Sequence, residues 1–115
     1  MLCRSERKGN VEILRVSEKL DFNSTRELEA KLKTVLEDGA VGIVIDMRQV
    51  DYIASVAIGV FVEAQKNCQD KGGQIVLLKP RSKVRDILKL VHLGRVISII
   101  ERETEALEKA KTPTI

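Results

Sequence analysis

The sequence predicts an α/β domain with a four- or five-stranded, mixed but mostly parallel sheet and about four helices. Two observations lead to this fold class. Short apolar segments alternate with longer amphipathic ones in the order β-β-α-β-α-β-α-β-α, and this order requires crossover connections between parallel strands. The segments 41-VGIVID-46 and 74-QIVLLK-79 are nearly continuous apolar runs, as expected for strands that are covered on both faces.

The chain length favours one domain. With 115 residues, of which 43% are hydrophobic and 32% charged, the composition is that of an ordinary globular domain. We assign the domain to residues 1–111 and expect 112–115 to form a frayed tail. No segment approaches the roughly 20 apolar residues that span a bilayer, and the N-terminus has no signal-peptide-like apolar core. We therefore expect a cytoplasmic protein with no membrane insertion.

The N-terminal part of the chain contains a predicted hairpin and the first predicted helix. Residues 11–16 partly alternate apolar and charged side chains, which predicts a strand with one wet face. A partner strand within 2–7 can pair with it across a turn at 8–10. Ser24 followed by Glu27 fits a capping box, so we expect the first helix to begin there.

The remaining elements are predicted from apolar periodicity and from serine residues at helix starts. Ser55 is the predicted N-cap of the second helix, which would start at Val56, and Ser82 is the predicted N-cap of the third. Residues 96–100 are predicted to form the last strand and 104–111 the final helix. The side chains expected to face the core include Leu32, Leu36, Ile43, Ile45, Phe61, Ala64, Ile75, Leu77, Ile87, Leu88 and Val91.

The sequence contains none of the residue patterns that we would expect of an enzyme. The single histidine, His92, lies at a predicted helix end, so a serine triad with Ser55 is not supported. There is no glycine-rich phosphate loop, and Cys3 and Cys68 have no neighbouring metal ligands. The net charge is +3, but the basic residues are scattered among acidic ones, unlike a nucleic-acid-binding stripe. We expect no catalytic residues, no cofactor, no metal site and no direct nucleic-acid contact.

The segment 46-DMRQVDYIASVAIGVF-61 resembles the central signature of the STAS domain, the fold of bacterial anti-sigma-factor antagonists. In that signature a strand ends in aspartate, and a helix then opens with Asp-Ser-Ser-Gly-Leu-Gly. Asp46 matches the strand-end aspartate, Ser55 matches the family's phosphorylatable serine, and Ile58-Gly59 matches the Leu-Gly pair. Two further segments, 17-SEKLD-21 and 86-DILKLVHLGRVISII-100, resemble the turn before the family's first helix and its helix-Gly-Leu-strand ending.

The resemblance implies a function and a partner. Family members bind an anti-sigma factor that carries a histidine-kinase-like ATPase domain with serine-kinase activity, and this binding indirectly frees a sigma factor. Phosphorylation of the matching serine, Ser55, would reverse the binding. The partner-binding residues implied by the resemblance are Leu20, Asp21, Ala54, Ser55, Val56, Ile58 and Gly59.

The motif also departs from the family pattern. The family's Asp, second Ser and Gly are replaced by Ala54, Val56 and Ala57. Ala54 would deprive a kinase of the family's aspartate contact. An alternative therefore stays open, in which the chain is a non-phosphorylated STAS scaffold in a signalling assembly or transporter complex and Ser55 is only a helix cap.

Overall fold

The structure, a computed structural model, describes residues 3–113. Within these residues the strands are β1 (Cys3–Lys8), β2 (Val11–Val16), β3 (Gly42–Asp46), β4 (Ile75–Leu78) and β5 (Ser98–Ile100). The helices are α1 (Phe22–Glu37), α2 (Ser55–Asp70), α3 (Ser82–Leu90) and α4 (Glu103–Ala110), and a short 3-10 turn spans Leu93–Arg95. The strands form one sheet in the order β1-β2-β3-β4-β5, in which only β1 and β2 pair antiparallel. The predicted mixed, mostly parallel α/β sheet with four helices is confirmed.

Helices cover both faces of the sheet. Because successive side chains of a strand point to opposite faces, Ile43 and Ile45 of β3 lie in the larger core, whereas Val44 lies in a smaller core on the other face. The larger core is shared with α1, α2 and α3, and the smaller one with Ala106 and Ala110 of α4. The apolar runs in β3 and β4 therefore reflect burial of these strands on both faces of the sheet, as the sequence predicted.

The prediction that β2 has one wet face is wrong. Val11 and Ile13 lie in the smaller core beneath α4, while Leu14 and Val16 lie in the larger core. The acidic Glu12 is only 6% exposed and accepts a hydrogen bond from Arg7 of β1 at 2.5 Å. The β1–β2 hairpin turns at Gly9 with φ +63, close to the predicted position, and residue 2 of the predicted partner strand lies outside the described residues.

Two predicted helix caps differ from the structure. The N-cap of α1 is Asp21, whose carboxylate accepts from the Ser24 N–H at 2.9 Å, while the Ser24 hydroxyl accepts from the Asp21 N–H at 3.0 Å. Ser24 is therefore the third helical residue of a capping box, and Glu27 is not part of it. Ser82 is likewise the first helical residue of α3, and the extended Arg81 before it provides no side-chain cap.

The structure also corrects the region between α3 and β5. α3 ends at Leu90 and the chain reverses at the exposed His92, whose φ is +55, so Val91 is 49% exposed rather than buried. Val96 and Ile97 both donate backbone hydrogen bonds to the Leu93 carbonyl, which keeps them in the turn and shortens the predicted strand. Of the other predicted core residues, Ile87 is half-buried and the remainder are buried.

The end of α4 packs directly against the starts of β3 and β4. The Ala110 carbonyl accepts from the Gln74 N–H at 3.0 Å, and the Gln74 side chain donates to the Thr112 carbonyl at 3.0 Å. A Cβ atom on Gly42 would lie 2.0 Å from the Ala110 carbonyl oxygen, so this contact requires glycine. Thr112 is thus hydrogen-bonded to the domain, and residues 114–115 of the predicted tail lie outside the described residues.

We expect Gly42→Ala to lower the free energy of unfolding by about 1–3 kcal/mol, because the added methyl overlaps the Ala110 carbonyl. Gly59→Ala is the matched control, since a Cβ there meets no atom within 4 Å. Alanine is favoured over glycine inside a helix by roughly 0.5–1 kcal/mol, so the control should be stabilised. Denaturant unfolding of both variants and the wild type measures the two effects. Equal stability of Gly42→Ala and wild type would contradict the close approach.

Candidate functional site

The start of α2, which contains Ser55, lies at the edge of the sheet where the parallel strands end. The loops that follow β2 and β3 are joined there by an isolated parallel bridge between Leu20 and Ile53. Leu20 donates its N–H to the Tyr52 carbonyl at 2.8 Å and accepts from the Ala54 N–H at 2.8 Å. Because these loops lead directly into α1 and α2, the bridge holds the starts of the two helices side by side.

Ser55 is not the N-cap that the sequence predicted. α2 begins at Ser55, and Ala54, with φ −84 and ψ 159, occupies the N-cap position without a side-chain hydrogen bond. The bond from the Ala54 N–H to the Leu20 carbonyl holds Ala54 in an extended conformation, so the helix starts one residue earlier than expected. The Ser55 side chain is exposed and forms no hydrogen bond within residues 3–113, which leaves its hydroxyl accessible.

The predicted partner residues on α2 lie on one accessible surface. Ser55 and Gly59 are exposed and are four residues apart, so they lie on the same face of the helix. Ala54, Val56 and Ile58 are half-buried beside them. Among these five residues, Ser55 is the one with a polar side chain.

The other two predicted partner residues have different environments. Leu20 is 0% exposed, so its side chain packs in the core and supports the surface from below instead of contacting a partner. Asp21 is half-buried, and hydrogen bonds from the Ser24 N–H and hydroxyl hold the pKa of its carboxyl below the ordinary value. Its carboxylate is thus charged at neutral pH and already engaged in capping α1.

Sequence reasoning did not assign Phe22 and Tyr52 to the surface. They are 58% and 49% exposed, and each lies within two residues of the Leu20–Ile53 bridge. The guanidinium of Arg26 lies 5.6 Å from the centroid of the Phe22 ring. A signal was present in the sequence, since Phe22 directly follows the segment 17–21 and Tyr52 lies three residues before Ser55 within the segment 46–61.

A network of ion pairs lies behind the loop that leads to Ser55. Asp46, at the end of β3, accepts from Arg15 Nη1 at 2.9 Å, from Arg48 Nη2 at 2.7 Å and from the Arg48 backbone N–H at 3.1 Å. Glu103, the first residue of α4, accepts from Arg15 Nη1 at 2.9 Å. The network therefore connects β2, β3, the loop after β3 and α4 through side chains that are distant in the sequence.

The network keeps its acidic members charged. Burial disfavours the ionised form of Asp46, but hydrogen bonds from Arg48 and Arg15 outweigh burial and lower the pKa of its carboxyl. The hydrogen bond from Arg15 is the main cause of the lowered pKa of Glu103, and the same bond raises the pKa of the Arg15 guanidinium. Both carboxylates are thus occupied by arginines at neutral pH.

The described residues contain neither a metal-binding cluster nor a membrane-spanning helix. Within residues 3–113, no three His, Cys, Asp or Glu side chains are grouped so that they could hold a metal ion. Cys68 is a buried free thiol, and burial raises its pKa to about 12. In the same part of the chain, no helix has the length and apolar character needed to cross a membrane.

Comparison with known proteins places this site in a family context. A model of the STAS domain family matches residues 4–106. A Thermotoga maritima protein named as an anti-sigma factor antagonist is 32% identical over 76 residues, which cover 66% of this chain and 67% of the relative. A crystal structure of an anti-sigma factor antagonist from Thermotoga maritima has a TM-score of 0.86 at 25% identity, covering 95% of this chain and 94% of that one.

The anti-sigma factor antagonist SpoIIAA provides a fold comparison in two states. Its unphosphorylated form has a TM-score of 0.80 at 21% identity, covering 92% of this chain and 93% of SpoIIAA. The phosphorylated form of the Bacillus protein has a TM-score of 0.71 at 20% identity, covering 92% and 96%. At this level of identity the likeness shows a shared fold.

We expect Ala54→Asp to raise the free energy of unfolding by about 0.5–2 kcal/mol, because it supplies the missing N-cap acceptor for α2. Ala54→Asn is the matched control, since it caps about as well but adds no charge. Both variants should be stabilised, and denaturant unfolding measures the gain. If only the aspartate variant gains stability, the effect is one of charge at the helix start and the uncapped N-terminus is not its cause.

We expect the double variant Asp46→Asn/Glu103→Gln to be less stable than wild type near neutral pH, with a difference that narrows in acid. Because the folded-state pKa values of Asp46 and Glu103 lie below their ordinary 3.8 and 4.5, these carboxylates contribute stability above those values. The contribution is lost as pH falls and the folded-state carboxylates become protonated. Unfolding curves from neutral pH to below about pH 4 measure the difference. Glu105→Gln, in the same helical turn, is the control. A difference in the free energy of unfolding between the double variant and wild type that stays constant with pH would contradict the network.

Proposed function

The chain belongs to the STAS domain family, and on that basis we propose that it is an anti-sigma-factor antagonist switched by phosphorylation of Ser55. Its unphosphorylated form binds an anti-sigma factor that carries a histidine-kinase-like ATPase domain with serine-kinase activity, and a sigma factor is thereby freed. The observation that carries the proposal is the exposed side chain of Ser55 on the first turn of α2, where its hydroxyl does not cap the helix. We propose a cytoplasmic binding protein that itself requires no catalytic residue, cofactor or nucleic acid.

The chemistry of the surface around Ser55 suits reversible protein binding. The exposed rings of Phe22 and Tyr52 and the half-buried Val56 and Ile58 offer apolar area that a partner can remove from water. Aromatic side chains contribute strongly to the binding energy of many protein interfaces. The small Ser55 hydroxyl fits such an interface because it can form a hydrogen bond with a partner group.

Phosphorylation of Ser55 would change this surface without requiring the domain to refold. A phosphate adds about −1.5 to −2 charges, and the free N–H groups at the start of a helix stabilise an anion there. The bridge at Leu20 fixes the backbone on the N-terminal side of Ser55 through two hydrogen bonds of 2.8 Å. A docked partner, by contrast, would have to desolvate the phosphate against apolar side chains, so the affinity would fall.

A second candidate function is a constitutive STAS scaffold in a signalling assembly or transporter complex. The observation that favours it is Ala54, the N-cap of α2, which has no side-chain polar group where the family signature has aspartate. A kinase that needs a carboxylate beside its acceptor serine would not modify Ser55. In that case the same apolar surface would bind a partner permanently.

The Ser55→Ala and Ser55→Asp variants distinguish the two functions. Because Ser55 does not cap α2, we expect the alanine variant to change the free energy of unfolding by no more than about 0.5 kcal/mol. Ser55→Asp should be as stable as wild type or slightly more so, since a negative charge at a helix start is favourable. Titration calorimetry against the anti-sigma partner should show near wild-type affinity for Ser55→Ala and at least about tenfold weaker binding, about 1.4 kcal/mol, for Ser55→Asp.

Ser82→Asp is the matched control for this experiment. Ser82 is also exposed, and it is the first residue of α3 after an N-cap residue, Arg81, whose side chain makes no capping hydrogen bond. The variant therefore adds the same charge to an equivalent position on α3. It should bind the partner like wild type. Equal affinities of Ser55→Ala and Ser55→Asp, together with no phosphate transfer to wild type by the partner, would reject the switch and leave the scaffold function.

A further inference from the structure

The large exposed apolar side chains fall into two groups in the described part of the chain. Phe22 and Tyr52 belong to the Ser55 surface, whereas Leu90, Val91 and Val96 are 79%, 49% and 49% exposed around the end of α3. The second group has no role in the proposed switch. Exposed apolar side chains that cluster on one rim often mark an interaction site.

The second group lies at the opposite edge of the sheet from Ser55. α3 follows β4 and ends shortly before β5 begins at Ser98. Since β5 is parallel to β4 and β4 to β3, the start of β5 lies at the edge opposite to the end of β3. A partner bound near Val96 would therefore leave the Ser55 surface accessible.

A basic cleft adjoins Val96, one of the exposed apolar side chains. Its volume is about 420 Å³, and it lies between the turn at 94–98 and the end of α4 at 109–113, with Val96 in its wall. Among the residues that the structure describes, the charged ones of its lining are Arg95 and Lys109, and none of them contributes a carboxylate to it. Both side chains are exposed and form no ion pair with any other residue in 3–113. Within the described part of the chain, the positive charge of the cleft is therefore uncompensated.

The apolar rim of the cleft is held in place by a buried side chain. The amide nitrogen of Gln65, a residue that is 2% exposed, donates to the Val96 carbonyl at 2.7 Å, and its amide oxygen accepts from the Ile75 N–H at 2.7 Å. Val96 is thus anchored to α2 and β4 from below. A preorganised surface loses little conformational entropy when it binds.

We propose that residues 90–96 and the adjoining cleft form a second docking surface, which binds an acidic, leucine-rich segment of a partner protein. Carboxylates of the segment pair with Arg95 and Lys109 in the cleft, and its apolar side chains cover Leu90, Val91 and Val96. The exposed Lys89 beside this group adds to the same preference for acidic partners. This surface functions independently of the state of Ser55.

The charges on this surface argue against two other occupants. A second copy of the chain docked by twofold symmetry would bring Arg95 and Lys109 close to the same basic residues, without an acidic counterpart. An anionic membrane gains only about 1 kcal/mol per basic residue near its surface, and the helix available for insertion, α3, has 9 residues with Leu90 at its end. An acidic protein segment satisfies both the apolar and the basic groups.

The test is a nitrogen-15 NMR titration of the full chain with a synthetic peptide of about twelve residues composed of leucine and glutamate. We expect amide shifts at residues 90–98 and 109–112 and none at Ser55 or Gly59. The Arg95→Glu/Lys109→Glu variant should bind at least about tenfold more weakly. Lys33→Glu/Lys66→Glu, which changes the net charge equally at exposed positions on α1 and α2, should bind like wild type.

Several outcomes would overturn this proposal. The first two are no amide shifts at millimolar peptide concentration, or amide shifts at residues outside 90–98 and 109–112. The other two are equal affinity for a peptide with lysine in place of glutamate, or an equal loss of peptide affinity in both charge-reversed variants. Binding of phosphatidylserine vesicles without peptide binding would identify a membrane surface instead. Self-association that the Arg95→Glu/Lys109→Glu variant abolishes would identify an interface between copies. A preserved amide spectrum of each variant shows that it is folded.

Discussion

The backbone bridge between Leu20 and Ile53 is the constraint on which the geometry of the functional surface depends. Its two hydrogen bonds of 2.8 Å contribute only about 0.5–1.5 kcal/mol each. Burial of the two side chains, which are 0% and 3% exposed, adds roughly 1.5–3 kcal/mol apiece. The bridge decides where α1 and α2 start, because it holds Ala54 extended and directs Asp21 into its capping position. The exposed hydroxyl of Ser55 follows from that choice of helix start.

The loop before Ser55 is also held from the other side. The Met47 N–H donates to the Leu78 carbonyl at 2.9 Å, and Arg81 Nε donates to the Arg48 carbonyl at 2.8 Å. The Arg48 side chain in turn pairs with the buried Asp46. These contacts secure the loop at its beginning, as the bridge secures it at its end. A modification at Ser55 would thus change the charge and hydration of a fixed surface, which is the simplest way for one phosphate to control binding.

The two exposed apolar groups lie at opposite ends of the parallel strands, and they differ in their chemistry. The Ser55 surface offers the exposed aromatic rings of Phe22 and Tyr52 and the Ser55 hydroxyl. The surface at Val96 is aliphatic, and beside it lie Arg95 and Lys109, which form no ion pair with any residue that the structure describes. The length of the parallel strands separates them. Under the two proposals, one domain would present a switchable surface and a constitutive one, which would suit a protein that brings partners together.

The local pattern of the sequence was sufficient to determine the fold class, most of the core and the position of Ser55 at the opening of a helix. The reason is that apolar periodicity shows the type of each element and which of its faces is buried. Tertiary structure decided the rest. Ala54 became the N-cap of α2 because its N–H donates a hydrogen bond to the Leu20 carbonyl. β2 lost its expected wet face because α4, from the far end of the chain, covers it. Arg15 pairs with Asp46 and Glu103 across 31 and 88 residues. Contacts over such separations leave no periodic trace in the sequence, so they become visible only once the chain is folded.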